Sequence, residues 1–107
     1  MPRIVLVDDD RSHMMSLSMM LEAEGFEVEC YVDGLSAWEA LSKSLPDILV
    51  LEAKLPALDG MDVLQRLRQV STIPVMFCTT KEDEIDEVLG LRMGADDYVK
   101  KPSSPRV

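Results

Sequence analysis

Five polar residues follow apolar runs of this sequence, and their side chains together suit the handling of a phosphoryl group. Asp8 and Asp9 follow a first run, Glu52 follows a second, and Thr79 and Lys101 follow two further runs. Clustered carboxylates repel one another unless a cation neutralises them. Oxygen ligands with room for water suit Mg²⁺, while an ammonium and a hydroxyl can hold phosphoryl oxygens. The set favours Mg²⁺-assisted phosphoryl transfer, which needs mainly positioning and charge stabilisation.

Each of these signals is weak when it is taken alone. The acidic run Asp8–Asp10 is also typical of the start of a helix, where carboxylates cap free amide groups. Glu52 alone reads as a strand-end polar residue, Thr79 as a turn residue and Lys101 as a solvated lysine. Their joint placement favours a site, because doubly wound parallel sheets bind ligands at the carboxyl ends of their strands.

The apolar pattern predicts alternating strands and helices that would carry these residues to one edge of a sheet. Strands are predicted at residues 4–7, 26–32, 48–51, 73–78 and 96–100. Helices are predicted at 11–24 and around 35–41, 63–67 and 85–93. This alternation indicates an α/β fold with a parallel sheet and right-handed crossovers. The second strand alternates in polarity, which predicts a poorly buried strand at a sheet edge.

The first helix should turn its apolar residues to the core and its single histidine to solvent. Met14, Leu17, Met20 and Leu21 recur at helical spacing, and His13 is expected on the solvated side. The pattern ends after the fifth strand, so a fifth helix is not expected. An apolar strip left bare on one sheet face would then drive self-association.

Composition narrows the class of protein. The 107 residues suffice for one domain, and 20 acidic against 11 basic residues give a net charge of −9. This balance argues against direct nucleic-acid binding, which needs a basic surface. No apolar run approaches the roughly 20 residues of a membrane span. Cys30 and Cys78 lack metal-ligand spacing, and buried thiols in a reducing cytoplasm are expected.

Several segments resemble the receiver domain of bacterial two-component response regulators over essentially residues 1–107. They are Ile4–Asp10, Pro46–Glu52, Leu55–Pro56 with Asp59–Gly60, Pro74–Thr79 and Gly94–Pro102. The last stretch looks like the OmpR/PhoB class, and Leu21–Gly25 with Asp83–Glu87 and Gly90–Leu91 look closest to ChvI-type regulators. The resemblance implies a flavodoxin-like, doubly wound sheet of five parallel strands in the order 2-1-3-4-5, here lacking the fifth helix.

The resemblance also implies a role for each site residue. Asp8 and Asp9 would form the acidic pair for Mg²⁺, with Asp9 a direct ligand and Asp8 acting mostly through water. Glu52 stands at the phospho-acceptor position. The Lys54 carbonyl would be the third protein ligand of the metal. Thr79 would be the switch hydroxyl and Tyr98 the switch aromatic. Lys101 would bind the phosphoryl group, and its bond to Pro102 is expected to be cis.

Partners follow from the same resemblance. A sensor histidine kinase would supply the phosphoryl group, and the domain would form a homodimer. The domain would not be an enzyme. It would control transcription through a C-terminal DNA-binding domain, which is expected in the parent protein and absent from this chain. The protein would be cytoplasmic.

The acceptor position departs from the family, which has aspartate where this chain has Glu52. A second departure is Ser103, where an aromatic residue is usual after the Lys-Pro pair. The extra methylene of glutamate moves the carboxylate by roughly 1 Å, enough for a poor or inert acceptor. The longer side chain also reaches toward the phosphoryl position, so activating mimicry and a dead site both stay open.

Two other functions remain open alongside the phosphorelay. One is a pseudo-receiver, a protein-interaction module that works without phosphorylation. The other is a phosphatase with an aspartyl-phosphate intermediate, in which Asp8 would be the nucleophile and Asp10 the second aspartate, two residues on.

Overall fold

Strands and helices alternate along the part of the chain that the structure describes. The computed structural model describes residues 2–79 and 97–100, with the backbone alone at 78–79 and 97–100. The elements are β1 (Arg3–Val7), α1 (Arg11–Ala23), β2 (Glu27–Tyr31), α2 (Gly34–Lys43), β3 (Ile48–Leu51), α3 (Gly60–Arg68), β4 (Val75–Thr79) and β5 (Asp97–Lys100). The predicted fourth helix, the Lys101–Pro102 bond and the end of the chain lie outside the described residues.

The strands form a parallel sheet, and this confirms the predicted α/β class. Strands β2, β1, β3 and β4 follow one another in the predicted order, and the backbone of β5 lies beside β4. From β1 the chain crosses to β2 on one side and then to β3 on the other. The strand order therefore reverses between β1 and β3, the place where such sheets bind ligands.

Helices cover both faces of the sheet. Successive side chains of β1 point to opposite faces, so they pack against different helices. Val5 and Val7 join the larger core under α2 and α3, whereas Ile4 and Leu6 pack with Met14 of α1. These four β1 side chains are almost fully buried. This double burial explains why β1 reads as a continuous apolar run rather than an alternating one.

Helix α1 packs through residues that share one face. Met14, Leu17 and Leu21 contact the sheet, as predicted from their spacing. The prediction for Met20 is wrong: it is 67% exposed, as are Met15 and Met19 to similar extents. Residue 20 comes one position too early to share the face of residues 14, 17 and 21. Gly25, with φ of 96°, ends the helix in the left-handed region.

Strand β2 lies at the edge of the sheet, as its alternating pattern predicted. Glu27 is exposed, and Glu29 accepts a hydrogen bond from Arg3 Nη2 at 3.0 Å. Cys30 is exposed, so the expectation of a buried thiol is wrong for this residue. An edge strand has a neighbouring strand on one side alone, which leaves its residues less covered than those of β1.

Strand β4 begins two residues later than predicted. Pro74 has no N–H for the strand ladder, and the amide of Ile73 donates to Ser71 Oγ at 3.1 Å instead of to a strand. Within the described residues, no helix combines the length and apolarity needed to cross a bilayer.

Candidate functional site

The ends of β1 and β3 bring Asp8 and Glu52 to the same place. Val7 pairs with Leu51 in the sheet, and the amide of Glu52 donates to the carbonyl of Val7 at 2.9 Å. Both acidic residues are 6% exposed. They line a cavity of about 10 Å³ together with His13. A cavity of this size is at the lower limit for one water molecule, roughly 10–15 Å³.

Asp8 is held by two hydrogen bonds from the start of α1. Its Oδ1 accepts from the amide of Asp10 at 2.9 Å, and its Oδ2 lies 3.0 Å from Nδ1 of His13. The prediction that His13 faces solvent is only partly right, because its side chain is 29% exposed but its ring contacts Asp8. His13 lies in the first turn of α1, and helical side chains lean toward the helix N-terminus, which here adjoins the end of β1. That first-turn position was the available signal, and sequence reasoning missed it.

The three aspartates that follow β1 have different surroundings. Asp8 is buried, Asp9 is exposed, and Asp10 is the N-cap of α1, whose carboxylate accepts from the amide of His13 at 3.0 Å. Helix capping is therefore the correct interpretation for Asp10. The phosphatase alternative needs Asp10 as a second catalytic acid, and this cap turns its carboxylate to the helix amides instead.

The loop at residues 53–59 directly follows Glu52 and contains Lys54. The amide of Lys54 donates to Glu52 Oε1 at 3.3 Å, and Asp59 Oδ1 accepts from the amide of Leu55 at 3.2 Å. Ala57 adopts a φ of 66°, a left-handed conformation that is uncommon for a residue with a side chain. Local hydrogen bonds thus tie the loop to the acidic side chain that precedes it.

Two glycines support this loop from the starts of the neighbouring helices. The amide of Gly34 in α2 donates to the carbonyl of Pro56 at 3.2 Å, and the amide of Gly60 in α3 donates to that of Ala53 at 2.9 Å. A Cβ on Gly34 would come within 1.6 Å of the Leu58 carbonyl oxygen, and one on Gly60 within 2.1 Å of the Glu52 carbonyl oxygen. The loop therefore lies against backbone that leaves no room for a side chain.

The donor set at this sheet edge fits a hard cation. Asp8 and Glu52 supply buried carboxylate oxygens, and Asp9 supplies an exposed one. Burying carboxylates is costly unless they are hydrogen-bonded or neutralised, and oxygen ligands suit Mg²⁺. Across residues 2–79 and 97–100, however, no three acidic, histidine or cysteine groups are gathered closely enough to hold a metal. The Mg²⁺ site therefore stays a prediction, in which Asp9 and the Lys54 carbonyl complete the ligand set.

The other predicted site residues are placed by their backbone or lie outside the described residues. Thr79 ends β4 and pairs with Lys100, and Tyr98 lies in β5 opposite Phe77. Their side chains and all of Lys101 are outside the described part of the chain. The predicted roles of Thr79, Tyr98 and Lys101 stay predictions.

Comparison with known proteins gives consistent results. The family model described as "Response regulator receiver domain" matches residues 4–107. The BeF₃-activated N-terminal receiver domain of RstA from Klebsiella pneumoniae is 30% identical, with 96% of this chain and 88% of that one covered and a TM-score of 0.89. The receiver domain of the Francisella response regulator 1452 is 28% identical, with coverages of 97% and 87% and a TM-score of 0.89.

A third similar structure shows such a domain within a longer chain. NtrX from Brucella abortus is 28% identical with a TM-score of 0.86, and the match covers 94% of this chain and 24% of NtrX. The family match spans nearly the whole sequence, and the similar structures share its parallel-sheet fold. This chain belongs to the response regulator receiver domain family.

Proposed function

We propose that this receiver domain belongs to a two-component phosphorelay with a sensor histidine kinase as its partner, and that Glu52 occupies the phospho-acceptor position without itself accepting the phosphoryl group. The observation that carries the proposal is the burial of Glu52 at the end of β3, beside Asp8 at the end of β1. This is the carboxyl-terminal end of the sheet, at the point where the strand order reverses. The domain acts as a signalling module rather than as an enzyme.

Asp8, Asp9, Glu52 and the Lys54 carbonyl would hold Mg²⁺ in the proposed site. The bound ion supplies charge neutralisation for phosphoryl oxygens beside the carboxylates. Thr79 and Lys101 would contact the phosphoryl group, and Tyr98 would respond as the switch aromatic. The backbone supports this assignment, because Thr79 ends β4 on the same edge of the parallel sheet as Asp8 and Glu52.

We also propose that the domain regulates transcription as part of a longer, cytoplasmic protein. The RstA match is an N-terminal receiver domain, and the NtrX match is 24% of its chain. Both are consistent with a receiver followed by further residues. The motif Gly94–Pro102 supports the OmpR/PhoB class, and Leu21–Gly25 supports a ChvI-type regulator within it. We further propose that the receiver has the full five-stranded fold, that it forms a homodimer, and that a DNA-binding domain follows it in the parent protein.

Glu52 is proposed to be an inert acceptor. Its carboxylate accepts a hydrogen bond from the Lys54 amide and extends one methylene beyond an aspartate. An attacking oxygen displaced by roughly 1 Å is poorly placed for phosphoryl transfer, and such a displacement can lower the rate about a hundredfold. The same extension lets the carboxylate stand in for part of a phosphoryl group, with one charge against nearly two.

Phosphorylation by a small molecule tests the proposal. The chain, its Glu52→Asp variant and a Glu39→Asp control are incubated with acetyl phosphate and Mg²⁺ and then weighed by intact mass spectrometry. Glu39 is exposed on α2, so its variant repeats the chemical change away from the site. We expect a phosphoryl adduct on Glu52→Asp alone.

The other outcomes of this experiment are equally informative. An adduct as abundant on the original chain as on Glu52→Asp would show that Glu52 is a competent acceptor. No adduct on any of the three proteins would contradict the phosphorelay function. The pseudo-receiver, a protein-interaction module whose acceptor position has lost its aspartate, would then be the better description.

A further inference from the structure

His13 contacts the candidate site, although neither the predicted metal ligands nor the predicted phosphoryl contacts include it. Its Nδ1 lies 3.0 Å from Asp8 Oδ2, with the two side chains 29% and 8% exposed. Its backbone amide donates to the N-cap carboxylate of Asp10 at 3.0 Å. The imidazole is therefore held over Asp8 by the helix start from which it projects.

The contact leaves Asp8 with a donor on each carboxylate oxygen. Oδ1 accepts from the Asp10 amide at 2.9 Å, and Oδ2 accepts from His13. A carboxylate oxygen has about two acceptor positions, so each N–H that it accepts leaves fewer for a metal ion or a metal-bound water. The bond from His13 also orients the carboxylate toward α1.

We propose that His13 is a positioning residue that competes with Mg²⁺ for Asp8 and thereby weakens Mg²⁺ binding. The inference rests on the Mg²⁺ site of the proposed function and adds to it the residue that sets its affinity. The acceptor position that His13 occupies on Asp8 is one that Mg²⁺ or a metal-bound water could otherwise use. This fits the absence, among the described residues, of three acidic groups already gathered as a metal site.

The size of the effect follows from the kind of hydrogen bond. Bonds to charged groups are stronger than neutral ones, but the partial exposure of His13 lets water replace the lost contact. We expect removal of the imidazole to tighten Mg²⁺ binding about threefold to tenfold.

Two substitutions separate the donor from the bulk of the ring. His13→Leu removes the donor, while His13→Asn keeps an amide N–H close to the position of Nδ1. Ser16→Ala, at an exposed position of α1, is the matched control. Mg²⁺ dissociation constants are measured by isothermal titration calorimetry at one pH, and thermal unfolding without metal reports any change in stability.

We expect tighter Mg²⁺ binding in His13→Leu and unchanged binding in His13→Asn and Ser16→Ala. In an Asp8→Asn background, His13→Leu should no longer change the affinity, which a general effect on helix stability would not produce. Unchanged or weaker binding by His13→Leu, in a protein that otherwise binds Mg²⁺, overturns the role of His13 and leaves the metal site standing. No saturable binding by any of the proteins overturns the Mg²⁺ site of the proposed function and the role of His13 with it.

Discussion

Gly34 gives the sharpest test of how the loop at residues 53–59 is held. This glycine begins α2, and its amide donates to Pro56 within the loop that carries Lys54. The perturbation is Gly34→Ala, a change of one methyl group. On helix propensity alone, alanine would stabilise the protein by up to about 1 kcal/mol. The structure predicts the opposite sign.

The magnitude follows from the available space. The new Cβ would lie 1.6 Å from the Leu58 carbonyl oxygen, whereas ordinary van der Waals contact begins at 3.4 Å. The contacted atoms are backbone, so no side-chain rotation relieves the clash, and α2 or the loop must move. Forcing extra atoms into packed structure costs about 1–3 kcal/mol. We place Gly34→Ala at about 3 kcal/mol, because backbone yields less readily than a side chain.

Urea unfolding at equilibrium measures this loss. For a domain near this size, a loss of 1 kcal/mol lowers the melting temperature by about 4–8 °C, so a loss of about 3 kcal/mol would lower it by roughly 12–24 °C. Gly25→Ala is the contrasting control, since nothing lies within 4 Å of its Cβ position but its φ is 96°. That substitution should cost about 1–2 kcal/mol through backbone conformation alone.

A Gly34→Ala protein as stable as the original, or more stable, would refute the reasoning. The loop would then yield freely to a side chain at α2, and the close approach of Gly34 would have no part in holding the residues that follow Glu52. A loss no larger than that of Gly25→Ala would likewise leave the steric argument without support.

Two further predictions concern titratable side chains. Hydrogen bonds from the Ser36 amide, the Ser36 hydroxyl and the Leu35 amide hold the pKa of Asp33 below its ordinary value. The ionised Asp33 therefore stabilises the folded protein at pH values above its unfolded-state pKa. This stabilisation is lost as the pH falls through the lower pKa of the folded state. Asp33→Asn should therefore lose less stability than the original chain between about pH 6 and pH 2 in urea unfolding, and parallel losses would contradict this. Although Cys30 is exposed as a residue, neighbouring atoms partly desolvate its sulfur and raise the pKa of the thiol; this outweighs the opposing Ser18 hydrogen bond, and Glu22 adds to the rise. Peptide mapping should show slower alkylation of Cys30 by iodoacetamide near neutral pH in the folded protein than in urea, because less thiolate is present; equal rates would argue against the shift.

Much of the fold follows from the period of the apolar residues. Ile48–Leu51 is a continuous apolar run, and the structure has β3 at those residues. The same pattern placed Asp8 and Glu52 at strand ends, and parallel pairing brings such ends together without further information. Gly25 marked the end of α1 because a left-handed residue there favours glycine.

Other features depend on packing that a periodic pattern does not contain. The prediction grouped Met20 with the buried Met14 because Met20 is three residues from Leu17, but the sheet covers only the narrower face of residues 14, 17 and 21. His13 was assigned to solvent from its polarity, yet the start of α1 lies beside the end of β1 and brings its ring to Asp8. The space at Gly34 depends on where a distant loop lies, and the residue itself carries no signal of it.

The position of β2 has a consequence for how this protein behaves in concentrated solution. An edge strand offers unpaired backbone groups to other chains, and natural proteins blunt such edges with short strands and charged side chains. Here the β2 edge is five residues long and carries the exposed Glu27, while Glu29 is paired with Arg3. In a chain with a net charge of −9, a second copy approaching this edge meets like charge before it can form a single backbone hydrogen bond. Glu27 and the net negative charge thus oppose strand-to-strand association at this edge.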